Sequence, residues 1–161
     1  MPKPYLDLNQ AQDNSRLFVA GFLRYFLRIC RVELQVFRGD MEMAIIAQAV
    51  AISSIEALLR DPKFKEEFRS MSTVVGVERQ RGVNLLSIAE ATGLPRETVR
   101  RKLQRLIKLD IVIKRDDGDY VMQSRAIQTE VSHGFIGTLE AETLRFINGC
   151  IDDGVFKAKG G

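Results

Sequence analysis

The chain has 161 residues, a formal net charge of +3, and hydrophobic side chains at 45% of its positions. This length predicts one domain, or one small domain with flanking helices, and the hydrophobic fraction is enough for a core. His133 is the only histidine, and the sequence has no glycine-rich phosphate loop and no pair of acids spaced for catalysis. These features argue against an enzyme, and they predict neither a cofactor nor a bound metal.

Two apolar segments raise the question of a membrane span, and we interpret both as helices of a soluble protein. Residues 17–29 are interrupted by two arginines and fall short of the ~20 residues that a span needs. Residues 41–59 are long enough, but they contain two glutamates and keep a single apolar stripe. Cys30 and Cys150 lie far apart in apolar contexts, as expected for free thiols in a reducing compartment. We therefore expect a cytoplasmic protein with no membrane contact.

The N-terminal part of the chain is predicted to be a loose arm followed by a long helix. Residues 1–13 include two prolines and several Asn, Gln and Asp residues, so we expect a flexible arm. Asn14 or Ser15 is placed to cap a helix over 16–38, which Gly39 would end.

Further helices are expected before and after the central region. Asp40 is placed to cap a helix over 41–60, and a short charged helix over 64–71 follows it. Residues 73–82 read as a polar connection. Near the C-terminus, an amphipathic helix over 137–150 precedes a Gly/Lys-rich tail that we expect to be disordered.

A pair of short helices around a tight turn is predicted in the middle of the chain. The segment before Gly93 keeps a small apolar stripe, and Gly93 can adopt the left-handed conformation in which helices often end. Pro95 suits the start of a second helix, and Glu97 complements the positive end of its dipole. This second helix should run from about Pro95 to about Leu109.

The second helix divides into an apolar face and a cationic face. The apolar positions repeat with helical spacing and should face the core; they are Val99, Leu103, Leu106 and Ile107. The same helix contains one acidic residue, Glu97, and six basic residues, which are Arg96, Arg100, Arg101, Lys102, Arg105 and Lys108. Its exposed face should therefore be strongly cationic. Such a face suits the major groove of DNA, where Arg can bond guanine and other cations neutralise phosphates.

A β-hairpin is predicted directly after this helix. Residues 111–113 and 120–122 are β-prone, and Asp117-Gly118 between them is a strong hairpin signal. Lys114 and Arg115 lie just before the tip, although three aspartates share that tip.

The motifs GLPRETVRRKLQRL and DIVIKRDDGDYVM, within residues 83–123, resemble the recognition helix and wing of bacterial winged helix-turn-helix regulators. The GntR, MarR and IclR groups are of this kind. The resemblance implies a mainly α fold with a small β-hairpin, flanked here by additional N- and C-terminal helices. It also implies operator contacts from the start of the recognition helix and from the arginine after Thr-Val, which correspond to Arg96, Glu97, Thr98 and Arg100. One departure from the GntR and IclR groups is that we recognise no C-terminal effector domain of their kind in residues 124–161.

The geometry of the helix adds Arg101 and Arg105 to these candidates, and the hairpin adds Lys114 and Arg115 for contact with the DNA backbone or minor groove. The charge distribution favours the same function. Residues 78–125 hold eleven Lys or Arg and seven Asp or Glu, a net charge of +4, so the rest of the chain is slightly acidic. We therefore expect sequence-specific binding to double-stranded DNA by a transcriptional regulator.

The chain order predicts four segments. They are a flexible arm at 1–13, an N-terminal apolar helix in 14–40, a winged helix-turn-helix DNA-binding domain at 41–125, and a C-terminal helix with a disordered tail at 126–161. The helix over 16–38 is apolar on nearly every face and must be buried. We expect the N- and C-terminal helices to form a homodimer, which would set two recognition helices about one DNA turn, ~34 Å, apart. The alternative is that these helices close one larger monomeric core.

Two further alternatives stay open. A small-molecule effector of unknown identity would fit between the N-terminal helices and the DNA-binding domain, where ligand-responsive regulators often bind one. The rival function is a winged-helix scaffold for protein assembly or chromosome architecture, with weak non-specific DNA binding. In that case the helix over 16–38 would dock on a different protein.

Overall fold

The computed structural model describes residues 4–126 and 128–159, and in this part the chain is mainly helical with two small antiparallel sheets. The elements in chain order are β1 (Tyr5–Leu8), α1 (Ser15–Val36), α2 (Met41–Ile55), α3 (Pro62–Glu67), α4 (Leu85–Thr92), α5 (Arg96–Lys108), β2 (Val112–Lys114), β3 (Tyr120–Met122), α6 (Glu130–Asp152) and β4 (Phe156–Lys159). Short 3₁₀ turns lie at Leu58–Arg60 and Val77–Arg79. The expected fold class, mainly α with a small hairpin, is confirmed at this level.

The chain forms two compact units, one made of residues 34–133 and the other of the segments before and after it. The unit 34–133 has a core contributed by α2, α4, α5 and the β2–β3 hairpin. Its buried members include Met43, Ile46, Val50, Val83, Ile88, Val99, Leu103, Leu106, Val112 and Tyr120. Since each fully buried aliphatic side chain contributes roughly 1.5–3 kcal/mol, this cluster is the main source of stability of the unit.

The helix α2 is the centre of this core, and it is shorter than predicted. It was expected over 41–60, but it ends at Ile55 and a separate 3₁₀ turn follows. Asp40 caps it as predicted, because its Oδ1 accepts a hydrogen bond from Met43 N at 3.0 Å. The short charged helix is also shifted: α3 begins at Pro62, capped by Asp61, and ends at Glu67, where 64–71 was predicted.

The predicted hairpin is present in the described chain. Val112 pairs with Met122 and Lys114 with Tyr120 in antiparallel register. Gly118 closes the tip with φ of +90°, a conformation that glycine adopts without strain. Outside the two strands, Val83 forms an isolated bridge with Tyr120, with backbone N–H···O distances of 3.0 and 2.8 Å.

The predictions of a loose N-terminal arm and a disordered C-terminal tail were wrong for the described residues, because both segments form ordered structure in the second unit. Residues 5–8 of the predicted arm pair with residues 156–159 of the predicted tail to form the β1–β4 sheet. Side-chain amides of Asn9 and Asn14 both donate to the Gly154 carbonyl, at 3.0 and 2.9 Å. The prolines and polar residues concealed this pairing, because the two strands meet only through a contact that is distant in sequence.

The same interactions change the predicted start of α1. Asn14 or Ser15 was expected to cap the helix. The side chain of Asn14 instead bonds the Gly154 carbonyl, and Asp13 Oδ1 accepts a hydrogen bond from Ser15 N at 3.0 Å. The helix itself, Ser15–Val36, agrees closely with the predicted 16–38.

The helix α6 begins at Glu130, about two turns before the predicted residue 137. Gly134 and Gly137 lie inside the observed helix, since glycine is only mildly unfavourable at an interior helical position. Within this unit α6 packs on α1. The rings of Tyr25 and Phe146 are stacked with their centroids 5.1 Å apart, and the Tyr25 hydroxyl oxygen lies 3.1 Å from the hydroxyl oxygen of Thr143.

Both cysteines are free, as predicted, and burial raises the pKa of the Cys150 thiol. Across the described residues, no helix has the length and apolar character required to cross a membrane.

Candidate nucleic-acid interface

The turn between α4 and α5 is formed by local sequence signals. Asn84 caps α4 by accepting a hydrogen bond from Ser87 N at 2.9 Å. Gly93 ends the helix in the left-handed region, with φ of +70°, and its N–H bonds the Ala89 carbonyl at 2.9 Å. Pro95 stands directly before α5, whose observed span of 96–108 matches the predicted helix over 95–109.

The buried face of α5 is close to the prediction and differs from it at two residues. Val99, Leu103 and Leu106 are fully buried, but Ile107 is 36% exposed. The reason is geometric, since residue 107 is turned about 80° away from residue 99 on a helix with 3.6 residues per turn. Lys102 occupies the apolar face in its place and is only 9% exposed.

Lys102 is buried because the carboxylate of Asp40 receives it. The Nζ of Lys102 lies 2.7 Å from both carboxylate oxygens of Asp40, and 3.1 Å from Glu42 Oε2. Arg105 Nη1 reaches the same carboxylate at 2.8 Å. This cluster fixes α5 to the N-terminus of α2, so Asp40 serves both as a helix cap and as the anchor of the cationic helix.

The protonation states of this cluster follow from its contacts. Burial alone would raise the pKa of Asp40, but hydrogen bonds from Lys102 and Met43 N, with the charges of Lys102 and Arg105, hold it below its ordinary value. The hydrogen bond to Asp40 raises the pKa of Lys102, although burial opposes this shift. The pair is therefore ionised at neutral pH. Sequence reasoning missed this role, although a lysine three residues after Val99 on an apolar stripe was the available signal.

The outward face of α5 carries the predicted cations. Arg96, Arg100, Arg101 and Arg105 are exposed, and Thr98 is partly buried. Arg100 pairs with Glu97, and this hydrogen bond lowers the pKa of Glu97. Because both partners are largely in solvent, the pair contributes little to stability, and Arg100 can exchange it for a bond to a ligand.

Two of these arginines are available without breaking any ion pair. Within the described part of the chain, Arg96 and Arg101 form no salt bridge. Arg105 keeps more than half of its side chain exposed while it bonds Asp40. The helix therefore presents a row of guanidinium groups to solvent, with Glu97 as its single acid.

The two hairpin candidates differ in their surroundings. Lys114 is exposed, with its Nζ 5.9 Å from the centre of the Tyr120 ring. Arg115 is partly buried, and its guanidinium bonds the Gln80 carbonyl at 3.1 Å and Asp117 at 2.6 Å. The hydrogen bond from Arg115 lowers the pKa of Asp117. The ammonium group of Lys114 is thus available to bind a phosphate, whereas the guanidinium of Arg115 stabilises the hairpin tip.

All eight residues predicted from the sequence lie in the unit 34–133, and six of them are exposed. Comparison with known protein families, curated proteins and solved structures finds no match for this chain.

Proposed function

We propose that this protein binds double-stranded DNA in a sequence-specific manner, as a dimeric transcriptional regulator with a winged helix-turn-helix. The observation that carries the proposal is the division of α5 into two faces. Val99, Leu103 and Leu106 are fully buried on one side, while four arginines are exposed on the other. An α-helix that is firmly seated and cationic on its outer face has the dimensions and charge to enter the major groove.

The arginines take different parts in this proposal. The candidates for bidentate hydrogen bonds to guanine are Arg96 and Arg101, because neither forms a competing salt bridge in the described chain. Arg100 and Arg105 keep an acidic partner in the free protein, so they are suited to neutralising phosphates at the edge of the groove.

The hairpin supports the winged form of the proposal. The β2–β3 pair follows α5 directly, and the Val83–Tyr120 bridge links it to the segment that precedes α4, two residues before this helix begins. This order of a bridge, two helices and a hairpin supports the proposed winged helix-turn-helix. Lys114 would hold the DNA backbone, and Arg115 would keep the tip in position through Gln80 and Asp117.

The dimer is supported by the surface of α1. All residues of this helix are described, and none of its apolar side chains is buried. Leu23 and Phe26 are half exposed and Leu27 is two-thirds exposed. Leaving this much apolar surface in water is unfavourable, and a second copy of the chain would cover it while providing the second recognition helix.

The test is selection of random duplex DNA by the purified protein at about 150 mM salt, where non-specific phosphate binding is weak. Enrichment of an inverted repeat supports both sequence recognition and the dimer. Loss of binding as salt rises, with no enriched sequence, would refute the proposal. In that outcome the α1 surface would point to the rival function, a winged-helix scaffold that docks on another protein.

The assignment of the interface is tested on the selected sequence. Arg101→Ala should cost about 1–3 kcal/mol of binding free energy and relax the preference at one base pair. The control is Arg69→Ala, which removes the same charge from an exposed residue after α3. Equal affinity of the two variants for the selected site would remove Arg101 from the interface.

A further inference from the structure

A cavity of about 300 Å³ lies in the unit 34–133, between the C-terminal half of α2, α3 and the segment that follows β3. Its walls are mainly apolar, and the large side chains among them include Ile52, Ile55, Phe64, Phe68, Met71 and Met122. No residue of α5, a helix that is described throughout, lines this cavity. The cavity is therefore a site separate from the proposed DNA interface.

The cavity is concave and leaves apolar surface in contact with solvent. Ile52 is 51% exposed and Met71 is 41% exposed, although both line the cavity. A single apolar cavity of roughly 150 Å³ accommodates benzene, and ligand sites begin at roughly 300 Å³. The space therefore suits a molecule of about twice the size of benzene, such as a bicyclic aromatic compound.

One polar group in the cavity lacks a partner. The Nε2 of Gln128 donates to the Met71 carbonyl at 2.8 Å, which fixes the orientation of the amide. Its Oε1 is buried, with no hydrogen-bond partner among the described residues. A buried acceptor without a partner is unfavourable, so a ligand that donates a hydrogen bond to this oxygen would recover the lost interaction.

Another amide that lines the cavity, that of Gln80, has every polar atom of its side chain in a hydrogen bond. Its Nε2 donates to the carbonyls of Val75 and Met122, at 3.2 and 3.0 Å, and its Oε1 accepts from Met122 N at 3.0 Å. Its backbone carbonyl accepts from Arg115 at the hairpin tip. One residue of the cavity wall therefore holds both a strand of the hairpin and its tip.

The aromatic wall of the cavity is connected to the same residue. The ring centroids of Phe64 and Phe68 are 4.5 Å apart, and Cζ of the Arg79 guanidinium lies 4.5 Å from the centroid of the Phe68 ring. Arg79 directly precedes Gln80 in the chain. A molecule that displaces these rings would move Arg79 and Gln80, and through them the hairpin.

We propose that this cavity binds a small, mainly apolar molecule of bicyclic size with one hydrogen-bond donor, and that its occupancy changes DNA affinity through Gln80 and the hairpin. The binding step stands on the cavity alone, whereas the regulatory step rests on the DNA binding proposed above. The location differs from the effector site expected from the sequence, which was placed between the N-terminal helices and the DNA-binding domain.

The binding step is tested by equilibrium dialysis of the full chain with 2-naphthol, a bicyclic aromatic compound with one hydroxyl donor. The wild-type protein should bind it with a Kd below about 1 mM. Ile52→Trp fills the cavity and should weaken binding at least about tenfold. The matched control is Ile45→Trp, the same substitution at a part-exposed residue of α2 that does not line the cavity, and it should change binding by less than about twofold. No binding to the wild type, or equal binding by both variants, would overturn the site.

The role of Gln128 has a separate test that does not depend on how tightly the probe binds. The wild-type protein should prefer 2-naphthol to naphthalene by about fivefold, which corresponds to roughly 1 kcal/mol for one hydrogen bond. Gln128→Leu should remove the preference while naphthalene still binds. A preference that survives this substitution would show that the hydroxyl bonds elsewhere and would overturn the assignment.

The regulatory step is tested by the affinity for the selected DNA with and without saturating 2-naphthol. We expect a change of at least about fivefold in the wild type and in Ile45→Trp, and none in Ile52→Trp, since coupling between sites typically spans 5–150-fold. Unchanged DNA affinity with bound naphthol would overturn the coupling and leave the DNA-binding proposal intact. A protein that binds naphthol and no DNA would instead refute the proposed function and keep the cavity as a ligand site.

Discussion

The buried cluster around Asp40 leads to a stability prediction that separates its charge from its capping role. Asp40→Asn keeps a good helix cap, because Asn and Asp are equally favourable at the N-cap position. It removes the negative charge that Lys102 contacts at 2.7 Å. Both side chains are almost buried, with 11% and 12% exposed, so the loss is not screened by solvent.

The expected cost follows from the environment that remains. Removing one partner of a buried ion pair costs about 3–5 kcal/mol, because the other charge is left without compensation. Here Glu42 stays 3.1 Å from Lys102 and recovers part of this energy. We therefore expect Asp40→Asn to lower the free energy of unfolding by about 2–3 kcal/mol. Asp40→Ala should lower it by about 1 kcal/mol more, because the cap is also lost.

The assay is urea denaturation at pH 7, followed by circular dichroism. Asp61→Ala is the matched control, because Asp61 caps α3 through Lys63 N but holds no buried lysine. It should cost only about 1 kcal/mol. The double variant Asp40→Asn with Lys102→Met should return to within about 1 kcal/mol of the wild type, since an apolar residue can replace a buried charge.

The pH dependence gives the sign of the effect independently. The pKa of Asp40 is lowered in the folded state from its ordinary value of 3.8, so the folded chain holds this group deprotonated more strongly. Its contribution is fully present above that ordinary value and is lost as the pH falls through the lowered one. The gap between wild type and Asp40→Asn should therefore close in acid. A gap below about 0.5 kcal/mol at pH 7, or one that widens in acid, would refute the reasoning.

Three further predictions concern the turn, the dimer and the hairpin. Gly93→Ala should cost about 1–2 kcal/mol in urea denaturation because φ is +70°, whereas Gly137→Ala, inside α6 with open space around it, should stabilise by about 0.5–1 kcal/mol; equal effects would contradict the left-handed turn. Leu23→Glu combined with Leu27→Glu should convert a dimer to a monomer by light scattering, while Leu86→Glu, at an exposed leucine of α4, should leave the mass unchanged. A monomeric wild type at micromolar concentration would count against the α1 interface. Lys114→Ala should weaken binding to all DNA sequences alike and reduce the salt slope by about 1, and the exposed Lys65→Ala on α3 should do neither.

Much of the structure of the central region could be predicted from local sequence signals. Asp40 as a cap, Gly93 as a helix end and Asp117-Gly118 at a hairpin tip depend on the conformations of a few neighbouring residues. Such preferences act over one turn of chain, so the end of α4 and both boundaries of α5 could be predicted within a residue or two. The outward position of Arg101 and Arg105 followed in the same way from the helical repeat.

The sequence by itself determined the helices, the hairpin and the cationic face of α5, because periodicity and turn chemistry are local properties. The tertiary structure decided which charges remain free. Lys102 became a buried partner of Asp40, 62 residues away, and Arg115 became a brace against Gln80. It also paired residues 5–8 with residues 156–159 and formed the cavity that Gln128 lines. Contacts between residues distant in sequence depend on how the elements pack, and no local sequence pattern records that packing.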